Sequence, residues 1–69
     1  MMISLDNGHT YLTAGEAIPE ILNRNLWDVV ANAMDDDVRE SVHNDVAPCS
    51  EVEFLAAYLE RAAEDLVVG

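Results

Sequence analysis

The chain has 69 residues, with 14 acidic side chains against three arginines and no lysine, which gives a formal net charge of −11 and a pI near 4.1. Nucleic acid and anionic membranes repel so negative a surface, so direct DNA binding and membrane attachment are excluded and the natural partners are basic surfaces or cations. Hydrophobic residues make up 51% of the chain, which places it among folded rather than disordered proteins, and a domain this short buries only about 60% of the surface its unfolded chain exposes.

Residues 2–13, MISLDNGHTYLT, contain two short alternating runs joined by Asn7-Gly8, the pair preferred in a type I′ turn, and so predict a β-hairpin. In the register this turn imposes, Asp6 faces His9, Leu5 faces Thr10, Ser4 faces Tyr11 and Ile3 faces Leu12. Ile3, Leu5 and Leu12 then share one face, toward the helices.

Thr13 and Glu16 have capping-box spacing and open a helical stretch with Ala17, Ile18, Ile21 and Leu22 as its apolar residues. Pro19 removes a main-chain donor inside that stretch, which predicts two short turns or a kink and an irregular segment over 14–24. Asn25 is the expected cap of a second helix, NLWDVVANAMDDD, with Leu26, Val29, Val30 and Ala33 inward and Trp27 and Met34 flanking. Asp35, Asp36 and Asp37 end that helix and begin the next, because carboxylates cap free N–H groups and meet the positive end of the helix dipole. The third helix is expected over roughly 37–46, with Val38, Val42 and Val46 at its apolar spacing, and Pro48 stops it.

Ser50 and Glu53 repeat the capping-box spacing and start a fourth helix, EVEFLAAYLERAAED, with Val52, Leu55, Ala56, Leu59 and Ala62 inward. Phe54 and Tyr58 are expected to cover the edge of the hairpin. The tail LVVG is expected to close the core as a third strand beside it. The predicted architecture is a single α+β domain over residues 1–69, an N-terminal hairpin packed against three to four short helices.

No motif in the chain has catalytic specificity. His43 and Cys49 stand six residues apart, but a nucleophilic pair needs an oxyanion hole and an orienting third group, and neither can be identified. The Asp35–Asp37 run lacks the spacing and distal glutamate of a calcium loop, and two histidines and one cysteine at scattered positions make a poor zinc site. The expectation is therefore a protein without enzymatic activity, metal or cofactor. A lone cysteine, no basic and apolar leader, and no apolar run near the roughly 18 residues of a spanning helix point to the cytoplasm.

The informative feature is the sign of the surface. Asp28, Asn32 and Asp35 fall at helical spacing, as do Asp37, Glu40 and Asn44, and Glu53, Glu60 and Glu64. Helical neighbours three or four apart lie about 5–6 Å from each other, on the scale of neighbouring phosphates in a duplex. A set of carboxylates so spaced can stand in for a phosphate backbone. Ordinary surfaces intersperse both charges, whereas Asp28, Asp35, Asp36, Asp37 and Glu40 have only Arg39 among them. These five, with Glu53, Glu60 and Glu64 as a second patch, are the candidate partner-binding residues.

Small size, acidity, absent lysine, the hairpin and the acidic helices resemble the phage- and plasmid-borne anti-CRISPR and anti-restriction proteins that act as DNA mimics. The run from Trp27 to Gly69, WDVVANAMDDDVRESVHNDVAPCSEVEFLAAYLERAAEDLVVG, resembles a family of small mobile-element proteins that includes inhibitors of type I CRISPR systems, type I-C among the candidates. The resemblance implies a monomer in the bacterial host that occupies the basic DNA-binding surface of a Cascade complex and blocks target DNA. The competing expectation is an acidic antitoxin or regulator that caps a basic protein without DNA mimicry.

Overall fold

A computed structural model describes residues 1–46 and 50–69. The expectations for Pro48 and Cys49 lie outside them. The elements run β1 (Ile3–Ser4), α1 (Ala14–Asn23), α2 (Trp27–Ala33), α3 (Asp36–Val46), α4 (Glu51–Arg61) and β2 (Leu66–Val67), a small α+β fold.

The N-terminal turn forms where Asn7-Gly8 places it. Both residues take positive φ, 59° and 89°, and the antiparallel bridge joins Ile3 to Leu12, in the predicted register. The second hairpin strand does not form. The sheet instead pairs β1 in parallel with β2, Ile3 opposite Leu66 and Ser4 opposite Val67, so the C-terminal strand is present and supplies β1's ladder. Val68 N–H donates to the Ser4 carbonyl at 2.8 Å, and Asn7 N–H to the Val68 carbonyl at 3.0 Å. Past Ser4 the turn is held by side chains. Ser4 Oγ donates to Asp6 Oδ1 and accepts from Gly8 N–H, each at 2.8 Å, and Asp6 Oδ1 accepts from Thr10 N–H at 2.8 Å.

Thr13 and Glu16 form the full capping box of α1. The helix continues through Pro19 as one element, a correction to the expected break. The main-chain bond that proline forgoes would have run to Gly15 in the first turn, and burial of Ala17 and Ile21 on either side of it holds the helix. Asn25 also differs from expectation. It adopts φ 52° after the end of α1, with its N–H directed to Leu22 O and that of Leu26 to Ile21 O. That pair of bonds is a Schellman motif, so Asn25 closes α1 rather than capping α2. The first residue of α2 is preceded by Leu26, which offers no side-chain cap.

Helix α4 packs against both α1 and α3, and the core gathers Ile3, Ala17, Ile21, Val30, Met34, Val42, Leu55, Tyr58, Leu59, Leu66 and Val68. Full burial of a side chain such as Leu55 or Val30 contributes about 1.5–3 kcal/mol. The buried face of α2 is rotated from the predicted one. Val30 and Met34 are inside while Val29 and Ala33 are exposed, and on α4 Val52 is exposed as well. The α4 helix ends at Arg61, with Ala62 already extended at ψ 136°, because residues 62–65 must turn to bring Leu66 alongside Ile3. Phe54 and Tyr58 reach α2 and the start of α3, and Tyr58 shares the buried cluster with Ile3. Phe54 meets Trp27 edge to face at 6.2 Å, and the buried Tyr58 hydroxyl accepts Asp35 N–H at 2.8 Å.

Candidate partner-binding surface

All fourteen carboxylates are exposed. They divide into two groups by what they touch. Six have partners within the chain: Asp6 as above, Glu16 in its capping box, Asp35, Asp36, Asp45 and Asp65. Asp35 Oδ1 accepts the N–H groups of Asp37 and Val38 at 3.0 and 3.2 Å, so it is the N-cap of α3. Asp36 pairs with Arg39 at 3.1 Å and Asp45 with Arg61 at 2.7 Å. Asp65 accepts the Met2 N–H at 2.9 Å. The other eight, Glu20, Asp28, Asp37, Glu40, Glu51, Glu53, Glu60 and Glu64, have no side-chain hydrogen bond or ion pair among the described residues.

Of the residues the sequence nominates, Asp28, Asp37, Glu40, Glu53, Glu60 and Glu64 fall in this unpartnered group, whereas Asp35 and Asp36 are engaged within the chain. The nominated helical stripes also break at their ends. Asp35 lies beyond α2 and Glu64 beyond α4, so neither continues the row it was assigned to. The fold brings them together by another route. A concavity of about 620 Å³ between the start of α3 and the α4–β2 turn is lined by Asp35, Asp37, Glu64 and Asp65, with Val38, Tyr58 and Leu66 among its apolar residues. Asp36 and Glu40 line a second hollow, of about 400 Å³, with Arg39, His43 and Phe54. Asp28, Glu53 and Glu60 line neither.

Local sequence signals do not identify Asp65, because its place beside Asp35 and Asp37 depends on where α4 stops. Glu20 and Glu51 are also missing from the nominated patches, although their exposure follows from helical spacing alone.

The three arginines do little to neutralise this surface. Arg39 also donates to Ala31 O at 3.3 Å, and Arg61 ties α4 to α3 through Ser41 as well as Asp45. Arg24 shares a hollow with Asp6, Glu16 and Glu20. The pKa of Asp6 is lowered, first by the Thr10 main-chain N–H and then by the Ser4 hydroxyl. Among the described residues no three His, Cys, Asp or Glu side chains converge as metal ligands would, and no helix is long and apolar enough to cross a membrane.

Fold and surface together define a small α+β protein whose described residues present exposed, largely unpaired carboxylates on short helices. Residues 20–64, more than half of the chain, match the family model of anti-CRISPR protein AcrIC5. The chain belongs to that family of type I-C anti-CRISPR proteins, and its role is that of an anti-CRISPR inhibitor. Among curated proteins and among solved structures, none matches it.

Proposed function

We propose that this inhibitor is a DNA mimic that binds the basic DNA-recognition surface of a type I-C Cascade complex and thereby blocks binding of target DNA. The observation that carries the reading is the group of eight exposed carboxylates without a partner among the described residues, seven of them on helices that hold them at fixed spacing and Glu64 just past α4. Asp37 and Glu40 are one helical turn apart on α3, at about the 5–6 Å of i, i+3 neighbours. Lysines and arginines that would neutralise phosphates meet these carboxylates instead, which speeds association and makes affinity fall with salt.

The partner-binding residues are Asp28, Asp37, Glu40, Glu53, Glu60 and Glu64, with Asp35 and Asp36 contributing charge from the α3 terminus. The protein works as one 69-residue domain and as a monomer, in the cytoplasm of the bacterial host. Its effect is occupancy, with no reaction and no cofactor.

An order-of-addition gel shift tests this. Purified type I-C Cascade is mixed with its target duplex and the inhibitor, in either order, at two salt concentrations. The proposal expects loss of the DNA shift when the inhibitor is added first, and weaker inhibition at higher salt. A ternary complex of Cascade, DNA and inhibitor would overturn mimicry and leave an acidic partner that acts beside the DNA site.

A further inference from the structure

Asn7-Gly8 is the residue pair in which an asparagine side chain is most open to attack by the next main-chain nitrogen, since glycine has no Cβ to obstruct the approach. Asn7 is exposed and in the left-handed region, φ 59°. The attacking group, Gly8 N–H, is engaged elsewhere: it donates to Ser4 Oγ at 2.8 Å, and Ser4 is fully buried beneath the turn. Asn7 N–H is likewise held by Val68 O, and Gly69 lies so close that a Cβ there would sit 2.8 Å from both Cβ and N of Asn7.

We infer that Asn7 is a deamidation site held in reserve by the native clasp between the N-terminal turn and the C-terminal strand. When the clasp opens, the Gly8 nitrogen loses its proton to solvent and bonds to Cγ of Asn7. The Cγ–Nδ2 bond breaks, and the departing nitrogen takes up a proton to leave as ammonia, so a five-membered imide remains. Water then opens the imide at one carbonyl or the other, giving aspartate or isoaspartate at position 7.

Either product adds one negative charge. Isoaspartate also inserts a methylene into the main chain between residues 7 and 8. The clasp has no room for that extra length, because Asn7 is bonded to Val68 and pressed against Gly69. Once isoaspartate forms, the turn no longer holds β2, and the folded lifetime of the inhibitor is limited by the rate at which its ends open.

Peptide mapping by mass spectrometry on the full chain tests this, over a urea series at one mildly alkaline pH. Asn23, Asn25, Asn32 and Asn44, none followed by glycine, are internal controls. The expected result is deamidation at Asn7 that rises on the order of tenfold or more from native to unfolded conditions, following the hydrogen-exchange rate of the Gly8 amide, with the controls far slower than Asn7 in the unfolded chain because a side chain follows each of them. Ser4→Ala, where circular dichroism shows the helices retained, is expected to speed the native reaction several-fold. Equal rates at Asn7 in the native and unfolded chain would overturn the inference, as would a folded Ser4→Ala protein deamidating at the wild-type rate. If Ser4→Ala does not fold, the wild-type urea series decides alone.

Discussion

At the joined chain ends, Asp6 and Asp65 are engaged by main-chain amides, the first by Thr10 and the second by Met2. On α3 and α4, Asp37, Glu40, Glu53 and Glu60 are as exposed as those two but touch no donor among the described residues. Both regions use the same carboxylate group. In the clasp a carboxylate replaces ladder hydrogen bonds that two-residue strands are too short to make, and removing it leaves main-chain donors without acceptors. On the helices it closes no hydrogen bond of the fold: Asp37 and Glu53 meet the dipole in the first turns of α3 and α4, for about 0.3–1 kcal/mol each, while like-charged neighbours cost stability. Carboxylates that bond no donor among the described residues are the ones available to a partner, and this separates Asp37 and Glu40 from their neighbour Asp35.

The contrast breaks most visibly under charge reversal. The variant Asp37→Lys/Glu40→Lys/Glu64→Lys is expected to abolish inhibition in the gel shift, while stability in thermal melts changes by about 0.5 kcal/mol for each surface substitution and by up to about 1 kcal/mol more at Asp37, in the first turn of α3. Tyr58→Phe tests the opposite case. It leaves Asp35 N–H without the hydroxyl it donates to, and is expected to cost about 1–3 kcal/mol in urea unfolding with inhibition by the folded fraction unchanged. Asp35→Ala removes a charge and a cap together. It is expected to cost about 1 kcal/mol of stability and to weaken binding less than Asp37→Lys does.

The smallest effect belongs to Asp6 and sharpens the comparison by pH. Its pKa lies below the ordinary 3.8 in the folded chain, so its contribution to stability is complete above that value and is lost as pH falls through the lowered pKa. Melts below about pH 4 should therefore show a steeper acid loss in the wild type than in Asp6→Asn. An equal slope would mean that the Thr10 and Ser4 contacts do not favour the charged form.

The same contrast explains what could be read from the sequence. The Thr13–Glu16 box, the Ser50 cap on Glu53 N–H at 3.2 Å, the Asn7-Gly8 turn and the opposition of Ile3 to Leu12 all depend on residues near one another in the chain, and they appear as expected. The parallel pairing of β1 with β2 depends on residues more than 60 apart, and no local signal selects a β1 partner between Tyr11-Leu12 and Leu66-Val67. Asn25 shows a second limit: asparagine favours both an N-cap and a left-handed C-terminal position, and the bonds from residues 25 and 26 back to Leu22 and Ile21 decide between them. At the candidate surface, the acidity of α3 and α4 was legible. The meeting of Asp35 and Asp37 with Glu64 and Asp65 was not, because helical spacing carried through residue 65 hides the turn after Arg61.

The most direct test of the central claim is the salt dependence of inhibitor binding to type I-C Cascade, measured as log Kd against log salt for the wild type and for two neutralised sets. One set replaces Asp37, Glu40, Glu60 and Glu64 by Asn or Gln, and the other replaces Asp6, Glu16, Asp45 and Asp65, so that each removes four charges. The first set is expected to flatten the slope and weaken binding at low salt, while the second leaves the slope near wild type and lowers the melting temperature. Equal slopes for the two sets would contradict the central claim, because binding would then follow total charge rather than the carboxylates that the fold leaves without partners.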